Sequence, residues 1–593
     1  MADYRAPLED MRFLIKDVFA LEPLWQSLNG LEAMDMATAD AILEEAAKIC
    51  QEVLAPLNRA ADEAGCGFDN GEVTAPPGFR QAYKTYCDGG WCGLGGNPEY
   101  GGMGMPKSLV AAVEEMLQGA SLSFGLAPML TAGACVAINS HASDELKPRY
   151  LPRMYSGEWA GAMDLTEPHC GTDLGLIRTR AIPDVDGSYQ LTGTKIFITW
   201  GEHDMTENIV HLVLAKLPDA PAGSRGISLF LVPKFLVNED GSAGERNAVS
   251  CGSIEKKMGI KGSPTCVMNY DGATGWLVGE PHQGLAAMFT MMNYERLGVG
   301  LQGVAAAEAS YQTAVAYARE RLQGRGPNGT ESPEQEADSL LVHPDVRRML
   351  LSMRALNEGG RAFYIYVAQW LDIAKFSDNA EARTRAEKIV ALLTPVAKAF
   401  LTDMAFDTAV NGQQILGGHG YVRDWGQEQL VRDIRITQIY EGTNGIQAMD
   451  LIGRKTLATD GELLRLFIAD IEQFVAANDR NPVVSEFAQP LSDTAESLME
   501  LTHYLVKQAA ADPCAAGAAA VDYLHLVGYV AYGYMWLRMV AAAEVADVPR
   551  DFRKAKRCTA RFYFARLLPE TLALTAKIKA GSAPLMDMPA ACF

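Results

Sequence analysis

The run DGSYQLTGTKIFIT, residues 186–199, decides the fold. Asp186-Gly187 is a hairpin-type turn, residues 189–191 are a short β-type run, and 196–199 are the aromatic and β-branched types that suit a pleated, half-buried surface. Two more runs of that kind follow at 209–214 and 227–232, and no helical periodicity separates them. A parallel sheet needs a crossover, usually a helix, between successive strands. Residues 161–280 are therefore expected to form an antiparallel β-domain and not a dinucleotide-binding Rossmann domain.

Outward from this segment the period changes. Upstream, Ile42, Ala46, Ile49 and Val53 recur at helical spacing, and Pro56 is expected to close that helix. Residues 1–160 thus read as a helical first domain. Its glycine-rich stretch, Gly93-Leu94-Gly95-Gly96 with Tyr100-Gly101-Gly102, neither matches G-x-G-x-x-G nor lies between a strand and a helix. It reads as a loop between helices. Downstream, Leu297, Leu301, Val304, Ala307, Tyr311, Val315 and Ala318 make a bundle-type stripe interrupted only by Glu308. Residues 323–340 are a loop rich in Gly, Pro, Ser and Glu, and a further long helix is expected to start with Thr394 as cap and Pro395 at its first position. Residues 281–455 then form a four-helix bundle and 456–593 an additional helical domain. The class is α+β, and no internal repeat is apparent.

A chain of 593 residues exceeds one hydrophobic core, so three or four domains are expected. With 48% apolar residues it is globular throughout, and its formal charge of −21 opposes binding to nucleic acid or anionic lipid. An anionic ligand must be held by local cations and backbone N–H groups. The 11 cysteines are scattered without C-x-x-C or Cys/His ligand spacing, so neither zinc nor a disulfide framework is indicated, and no other metal is expected. The opening MADYRAPLEDMRF, with Asp3, Glu9 and Asp10, fits neither a secretory signal nor a transit peptide. The apolar run 526–537, bracketed by His525 and Arg538, is short of the roughly 20 residues that span a bilayer and reads as a buried helix. A cytoplasmic protein with no integral membrane segment is expected, peripheral membrane association remaining open.

Three segments carry chemistry when taken together: Leu165-Thr166-Glu167-Pro168-His169-Cys170-Gly171-Thr172-Asp173, Lys195-Ile196-Phe197-Ile198-Thr199, and Gln438-Ile439-Tyr440-Glu441-Gly442-Thr443. In order and approximate spacing they resemble the motifs of the acyl-CoA dehydrogenase family, over roughly residues 30–455. Alone, a Glu in a Tyr-Glu-Gly turn reads as a solvated loop residue, Phe197-Ile198-Thr199 as ordinary strand, Arg321 as a helix-surface cation and Gly417-Gly418 as a helix-ending turn. The resemblance implies otherwise. It makes Glu441 the general base that removes the α-proton of an acyl-CoA thioester, while bound FAD takes the β-hydrogen as hydride. The Glu441 N–H helps to polarise the thioester carbonyl.

By the same resemblance, Met163, Leu165, Thr166, Phe197 and Thr199 line the flavin, Gly171 and Thr172 lie on its pyrophosphate and substrate side, and Arg321 and Gln323 meet the pyrophosphate. Gln414, Gly417 and Gly418 belong to a segment that reaches the FAD of a neighbouring subunit, and Thr443 is a further cofactor contact. Asn293 and Arg296 contact CoA, with Tyr440, Gly442 and Thr172 beside the substrate. Cys170, Thr172, Trp200, Asn293 and Gly445 depart from the common pattern, which has Ala, Ser, Asn and Asp at the first four and a longer polar residue at the last. The extra C-terminal segment resembles the longer members, including bacterial medium- or long-chain acyl-CoA dehydrogenases and 3-methylthiopropionyl-CoA dehydrogenases. It is expected to cover a surface that shorter members use in tetramers, leaving a homodimer. Electron-transfer flavoprotein is the implied electron acceptor. An acyl-CoA oxidase would share the half-reaction on substrate and pass electrons to O2. A non-catalytic flavoprotein serving in assembly or nucleic-acid binding is the reading from another class, against which Glu441 and the acidic charge stand.

Overall fold

The computed structural model describes residues 4–593. Asp3, part of the acidic start, lies outside them. Two compact units emerge, one of residues 4–47, 106–119 and 299–593, the other of 48–105 and 120–298.

In the second unit a seven-stranded sheet runs in the order Val249–Ile254, Thr265–Val278, Tyr189–Thr199, Arg180–Pro183, Asn208–Lys216, Trp159–Asp164. Strand Ile227–Pro233 pairs with both Thr265–Val278 and Asn208–Lys216, so the hydrogen bonding closes into a circuit of five strands. Arg180–Pro183 and Tyr189–Thr199 are joined at the expected Asp186-Gly187 turn, where Gly187 has φ +86° and Asp186 accepts from the Ser188 N–H. The expected antiparallel pairing is complete except along Asn208–Lys216, which runs parallel to Trp159–Asp164 and meets Arg180 in parallel at one pair. The connection 165–207 supplies the crossover that the parallel pair requires, using strands where a helix is usual.

Strand Asn208–Lys216 is buried on both faces because its alternation serves two cores. Ile209, Val213 and Ala215 point inside the circuit with Phe230, Val232 and Leu191. Val210, Leu212 and Leu214 face helix Leu122–His141 through Leu130, Ala134 and Ile138.

In the first unit the bundle consists of the part of helix Gly284–Glu320 beyond residue 298, Pro344–Phe376, Ala380–Leu416 and a short fourth helix, Gln427–Arg435. Helix Ala515–Val545 is apolar all round, as burial demands, and contains the 526–537 run. Trp536 Nε1 donates to the Ala355 carbonyl (3.1 Å), and a Cβ at Gly528 would lie 2.3 Å from Cγ of Phe400, so only glycine permits this approach. Glu308, which interrupts the apolar stripe, is paired internally: Arg361 binds Glu308 (3.0 Å), Glu115 (2.6 Å) and Asp10 (2.5 Å).

Two prolines behave differently from the expectation. Pro56 does not end its helix: Met36–Lys48 continues through a π-turn, Ile49–Leu54, into Ala55–Ala64. The wider turn re-registers the ladder, so Pro56 falls in a first turn where its missing N–H is not required. Thr394 and Pro395 lie inside helix Ala380–Leu416, whose cap is Asn379, accepting from the N–H groups of Glu381 (2.9 Å) and Ala382 (3.1 Å). The Thr394 hydroxyl donates to the Val390 carbonyl (2.7 Å) instead of capping. The glycine-rich stretch is a loop with two short 3₁₀ turns, Trp91–Gly93 and Pro98–Tyr100, as expected. Helix Leu122–His141 and the segment Ala380–Tyr421 are long and apolar enough to cross a membrane, but 83% and 78% of their apolar windows are buried within the protein.

Candidate active site

On the second unit, Lys195 joins the first two motifs. Its Nζ donates to Glu167 (2.9 Å) and to the Leu165 carbonyl (3.0 Å), and the Ile196 N–H donates to the Thr166 carbonyl (2.9 Å). Glu167 also accepts from the N–H groups of Arg178 (2.7 Å) and Thr179 (3.0 Å) and from the Thr179 hydroxyl (2.7 Å). Burial pushes the Glu167 carboxyl up, but the Lys195 charge and these hydrogen bonds outweigh it and hold it below the usual carboxylate range. Burial pulls the Lys195 ammonium down against the attraction of Glu167. Although ligand atoms of Glu167, His169 and Cys170 lie within 4.8 Å of one another, the Glu167 oxygens are already occupied by these four donors.

This ion pair fixes a wall. In strand Tyr189–Thr199 the pairing register shifts so that Ile196 and Phe197 stand opposite the single residue Val267, a β-bulge. The bulge puts Phe197 at φ +61° and turns its ring outward, 59% exposed. A bulky non-glycine residue at positive φ with an exposed aromatic ring is strained and solvent-facing at once. Met163 and Thr166 are half-buried, Leu165 is buried, and Thr199 is half-buried beside Phe197. The Thr166 and Thr199 hydroxyls make no side-chain hydrogen bond among the described residues. Gly171 and Thr172 are exposed on the loop that follows. Trp200, at φ +52°, points the other way: it is fully buried, donates to the Ser123 carbonyl (3.3 Å) and stacks on Phe79. Its departure from the common pattern is a matter of packing. Beneath the wall, Tyr270 and His211 both bind Asp164, at 2.6 and 3.1 Å. On the same unit, Asn293 and Arg296 share one face of helix Gly284–Glu320, where Arg296 donates to Asn293 (3.2 Å) and lies over the Phe289 ring.

On the first unit, Glu441 sits half-buried at φ +56° and Gly442 follows at φ +80°. Two consecutive left-handed residues turn the chain back at the glutamate. The turn is secured on both sides. Tyr440 donates its hydroxyl to Gln302, Gln447 Nε2 donates to the Glu441 carbonyl (3.0 Å), and the Thr443 hydroxyl accepts the Ile446 N–H (3.3 Å), capping helix Asn444–Met449. Asn444 donates to Asp403 (2.7 Å) and Thr402 (2.9 Å) of helix Ala380–Leu416. Thr443 therefore has a capping role of its own beside the cofactor role expected of it. A Cβ at Gly445 would meet nothing closer than 3.9 Å, so the glycine there is not demanded by crowding.

A third group gathers at one end of the bundle. Arg321 and Gln323 leave helix Gly284–Glu320, and Gln414, Gly417 and Gly418 end helix Ala380–Leu416, with Gly417 at φ +59°. They are brought together by Tyr317, whose hydroxyl meets His419 Nδ1 at 2.9 Å. Arg321, one helical turn beyond Tyr317, is exposed and forms no ion pair among the described residues, so it is available to a phosphate. The exposed ring of Phe197 lies on one unit and the guanidinium of Arg321 on the other. Sequence reasoning missed Lys195 as the link between motifs, although it lies inside one of them, and missed Gln302, Asp403 and Gln447, which no short motif marks.

Comparison with known proteins places the chain in a family. Residues 36–158, 162–273 and 282–457 match the acyl-CoA dehydrogenase N-terminal, middle and C-terminal domains, and 467–589 match the domain described as acetyl-CoA dehydrogenase C-terminal like. A 3-methylmercaptopropionyl-CoA dehydrogenase of Ruegeria pomeroyi is 43% identical over 97% of this chain and 98% of its own. A butyryl-CoA dehydrogenase of Syntrophomonas wolfei is 35% identical over 100% and 99%. Among solved structures, ACDH-11 of Caenorhabditis elegans in complex with C11-CoA superposes with a TM-score of 0.79 over 99% of this chain and 97% of its own, at 18% identity, a likeness of fold.

Proposed function

The chain belongs to the acyl-CoA dehydrogenase family, and on that premise we propose that it is an FAD-dependent dehydrogenase converting an acyl-CoA thioester to the trans-2-enoyl-CoA, with Glu441 as the base. The observation that carries the proposal is the loop at Glu441: a carboxylate held at positive φ, followed by glycine and anchored on both flanks. Such strain persists only where the surroundings over-determine it, and it is concentrated at functional sites.

The roles follow from the chemistry. The α-proton of a thioester is a weak acid, so it is removed only by a positioned base while the carbonyl oxygen is stabilised as charge develops. Glu441 supplies the base and its N–H one donor to that oxygen. Phe197, Leu165 and Met163 form the apolar wall for the isoalloxazine ring, Thr166, Thr199 and Thr172 offer hydroxyls, and Gly171 lets the backbone approach closely. Arg321, with Gln323, supplies the charge for the pyrophosphate, and Asn293 and Arg296 do so for CoA. FAD, when bound, accepts the β-hydrogen as hydride at N5. The projecting turn with Gln414, Gly417 and Gly418 ends in Tyr421, 84% exposed, which supports its reaching a second copy of the chain in a homodimer. Electrons leave to electron-transfer flavoprotein, as the family assignment suggests, in a fatty-acid β-oxidation type of step.

A second, narrower reading makes 3-methylthiopropionyl-CoA the substrate, supported by the 43% identity to a dehydrogenase of that name. Anaerobic mixing of the holoenzyme with acyl-CoAs from short to long chain and with the methylthio analogue tests both. Rapid bleaching of the oxidised flavin is expected for at least one thioester. If FAD is bound and none bleaches it, the dehydrogenase reading is wrong, and oxygen consumption during turnover would move the assignment to an oxidase.

A further inference from the structure

The base loop is held from behind by a single carboxylate. Asp403, on helix Ala380–Leu416, accepts through Oδ1 from Gln438 Nε2 (2.7 Å) and Asn444 Nδ2 (2.7 Å), the residues three before and three after Glu441. Its other oxygen, Oδ2, accepts from His525 Nε2 (2.8 Å), on helix Ala515–Val545. The His525 ring stands edge-on to Phe400, at 5.7 Å between centroids. Asn444 is fixed from a third direction by Lys398, whose Nζ donates to Asn444 Oδ1 (2.7 Å). Burial pushes the Asp403 carboxyl up, but the hydrogen bonds from His525 and Gln438 prevail and keep it below the usual carboxylate range. It is therefore an anion across neutral pH and accepts on both oxygens.

Glu441 carries left-handed strain that the loop would relieve if it were released, and Gly442 beside it adopts the same region without cost. Anchoring three residues to either side adds to the Tyr440–Gln302 and Gln447–Glu441 hydrogen bonds in keeping the glutamate aimed, and Asp403 can anchor both sides only while its own orientation is fixed. His525 fixes it. Residues 467–589 match a family domain separate from the bundle that carries Glu441, so this histidine is a contribution of the additional C-terminal segment to the base loop.

We propose that His525 is a positioning residue for proton abstraction: through Asp403 it holds Gln438 and Asn444, and thereby the orientation of Glu441, making the C-terminal segment part of the catalytic apparatus. The proposal rests on the reading of Glu441 as the base. A displacement of about 1 Å in a reacting group can cost on the order of a hundredfold in rate, so the effect belongs to the chemical step and not to binding.

The test compares His525→Phe, which keeps an aromatic ring without the donor, with His525→Gln, which keeps an N–H donor, both as full-length holoenzyme. In anaerobic stopped-flow with butyryl-CoA as probe, His525→Phe is expected to lower the limiting rate of flavin bleaching at least tenfold, with the Kd for the thioester within twofold of the parent and FAD content unchanged. The isotope effect with α-deuterated butyryl-CoA should rise, and His525→Gln should recover the parent rate to within about threefold. A His525→Phe rate within twofold of the parent, or a loss that appears equally in Kd, overturns the proposal. If His525→Phe does not fold, Gln438→Met, at a half-exposed position, removes one anchor and is held to the same outcomes. Hydrogen exchange of residues 438–446 separates this proposal from the reading it rests on. Faster exchange in His525→Phe is expected whatever the substrate, and unchanged exchange overturns the anchoring even if no thioester bleaches the parent, a result that by itself would sink only the dehydrogenase reading.

Discussion

Replacing Gly442 by alanine probes the base loop with one methyl group. Gly442 has φ +80°, where an L-residue pays about 1–2 kcal/mol. Its new Cβ would also lie 2.7 Å from Gln447 Nε2, the group that donates to the Glu441 carbonyl, so the amide must move away and a hydrogen bond worth about 1 kcal/mol is lost. The loop can escape both penalties by relaxing away from the conformation that aims Glu441. The chemistry then requires returning to it at a cost of about 2 kcal/mol or more, roughly a thirtyfold fall in rate. The assay is the limiting rate of flavin bleaching by a thioester in anaerobic stopped-flow, with FAD content and thermal unfolding as controls. Gly442→Ala should be at least about tenfold slower with both controls near the parent. A variant bleaching at the parent rate would refute the claim that the left-handed turn positions the base.

Three further outcomes follow from other parts of the structure. Lys195→Met leaves Glu167 buried with three of its four donors, so a loss near the low end for a broken buried ion pair, about 3 kcal/mol, is expected in urea unfolding, together with weaker FAD retention; an unchanged urea midpoint and flavin content would count against the ion pair as support for the wall. Phe197→Ala removes an exposed ring, so unfolding of the flavin-free protein should stay within about 1 kcal/mol of the parent while the Kd for FAD rises about tenfold or more, and equal FAD affinity would remove Phe197 from the cofactor site. Asp372 is buried where it accepts from Ser108 at the start of helix Lys107–Ala120, and burial pushes its carboxyl up to about 6. Because that folded value lies above the unfolded one, near 4, folding favours the protonated acid, and Asp372 costs stability increasingly as pH rises from about 4 through 6. Asp372→Asn should therefore gain on the parent by about 2 kcal/mol between pH 4 and pH 7 in unfolding measurements, and a pH-independent difference would refute the assignment.

The parts of the fold that local chemistry dictates were legible in the chain. The Asp186-Gly187 turn, the β-type run at 209–214 and the apolar stripe from Leu297 all stand where short-range pattern puts them. The prolines were not, because proline decides a helix end only when nothing compensates for its missing N–H. A π-turn does so before Pro56, and within helix Ala380–Leu416 the surrounding packing overrides Pro395. The parallel pairing of Trp159–Asp164 with Asn208–Lys216 depends on contacts some fifty residues apart, beyond any local period. The site divides in the same way. Phe197 and Glu441 lie in contiguous motifs, whereas their supports are remote: Glu167 is held by a lysine 28 residues away, and His525 reaches Asp403 across 122. The outward turn of Phe197 was hidden as well, since the bulge that produces it is a mismatch between two strands and not a property of either.

The central claim is that Glu441 is the base, and Glu441→Gln tests it most directly, since the amide keeps the shape of the side chain and cannot accept the α-proton. Mixed anaerobically with the thioester that bleaches the parent fastest, the variant should bind FAD and the thioester yet reduce its flavin on the order of a thousandfold more slowly. Reduction at the parent rate would contradict the account.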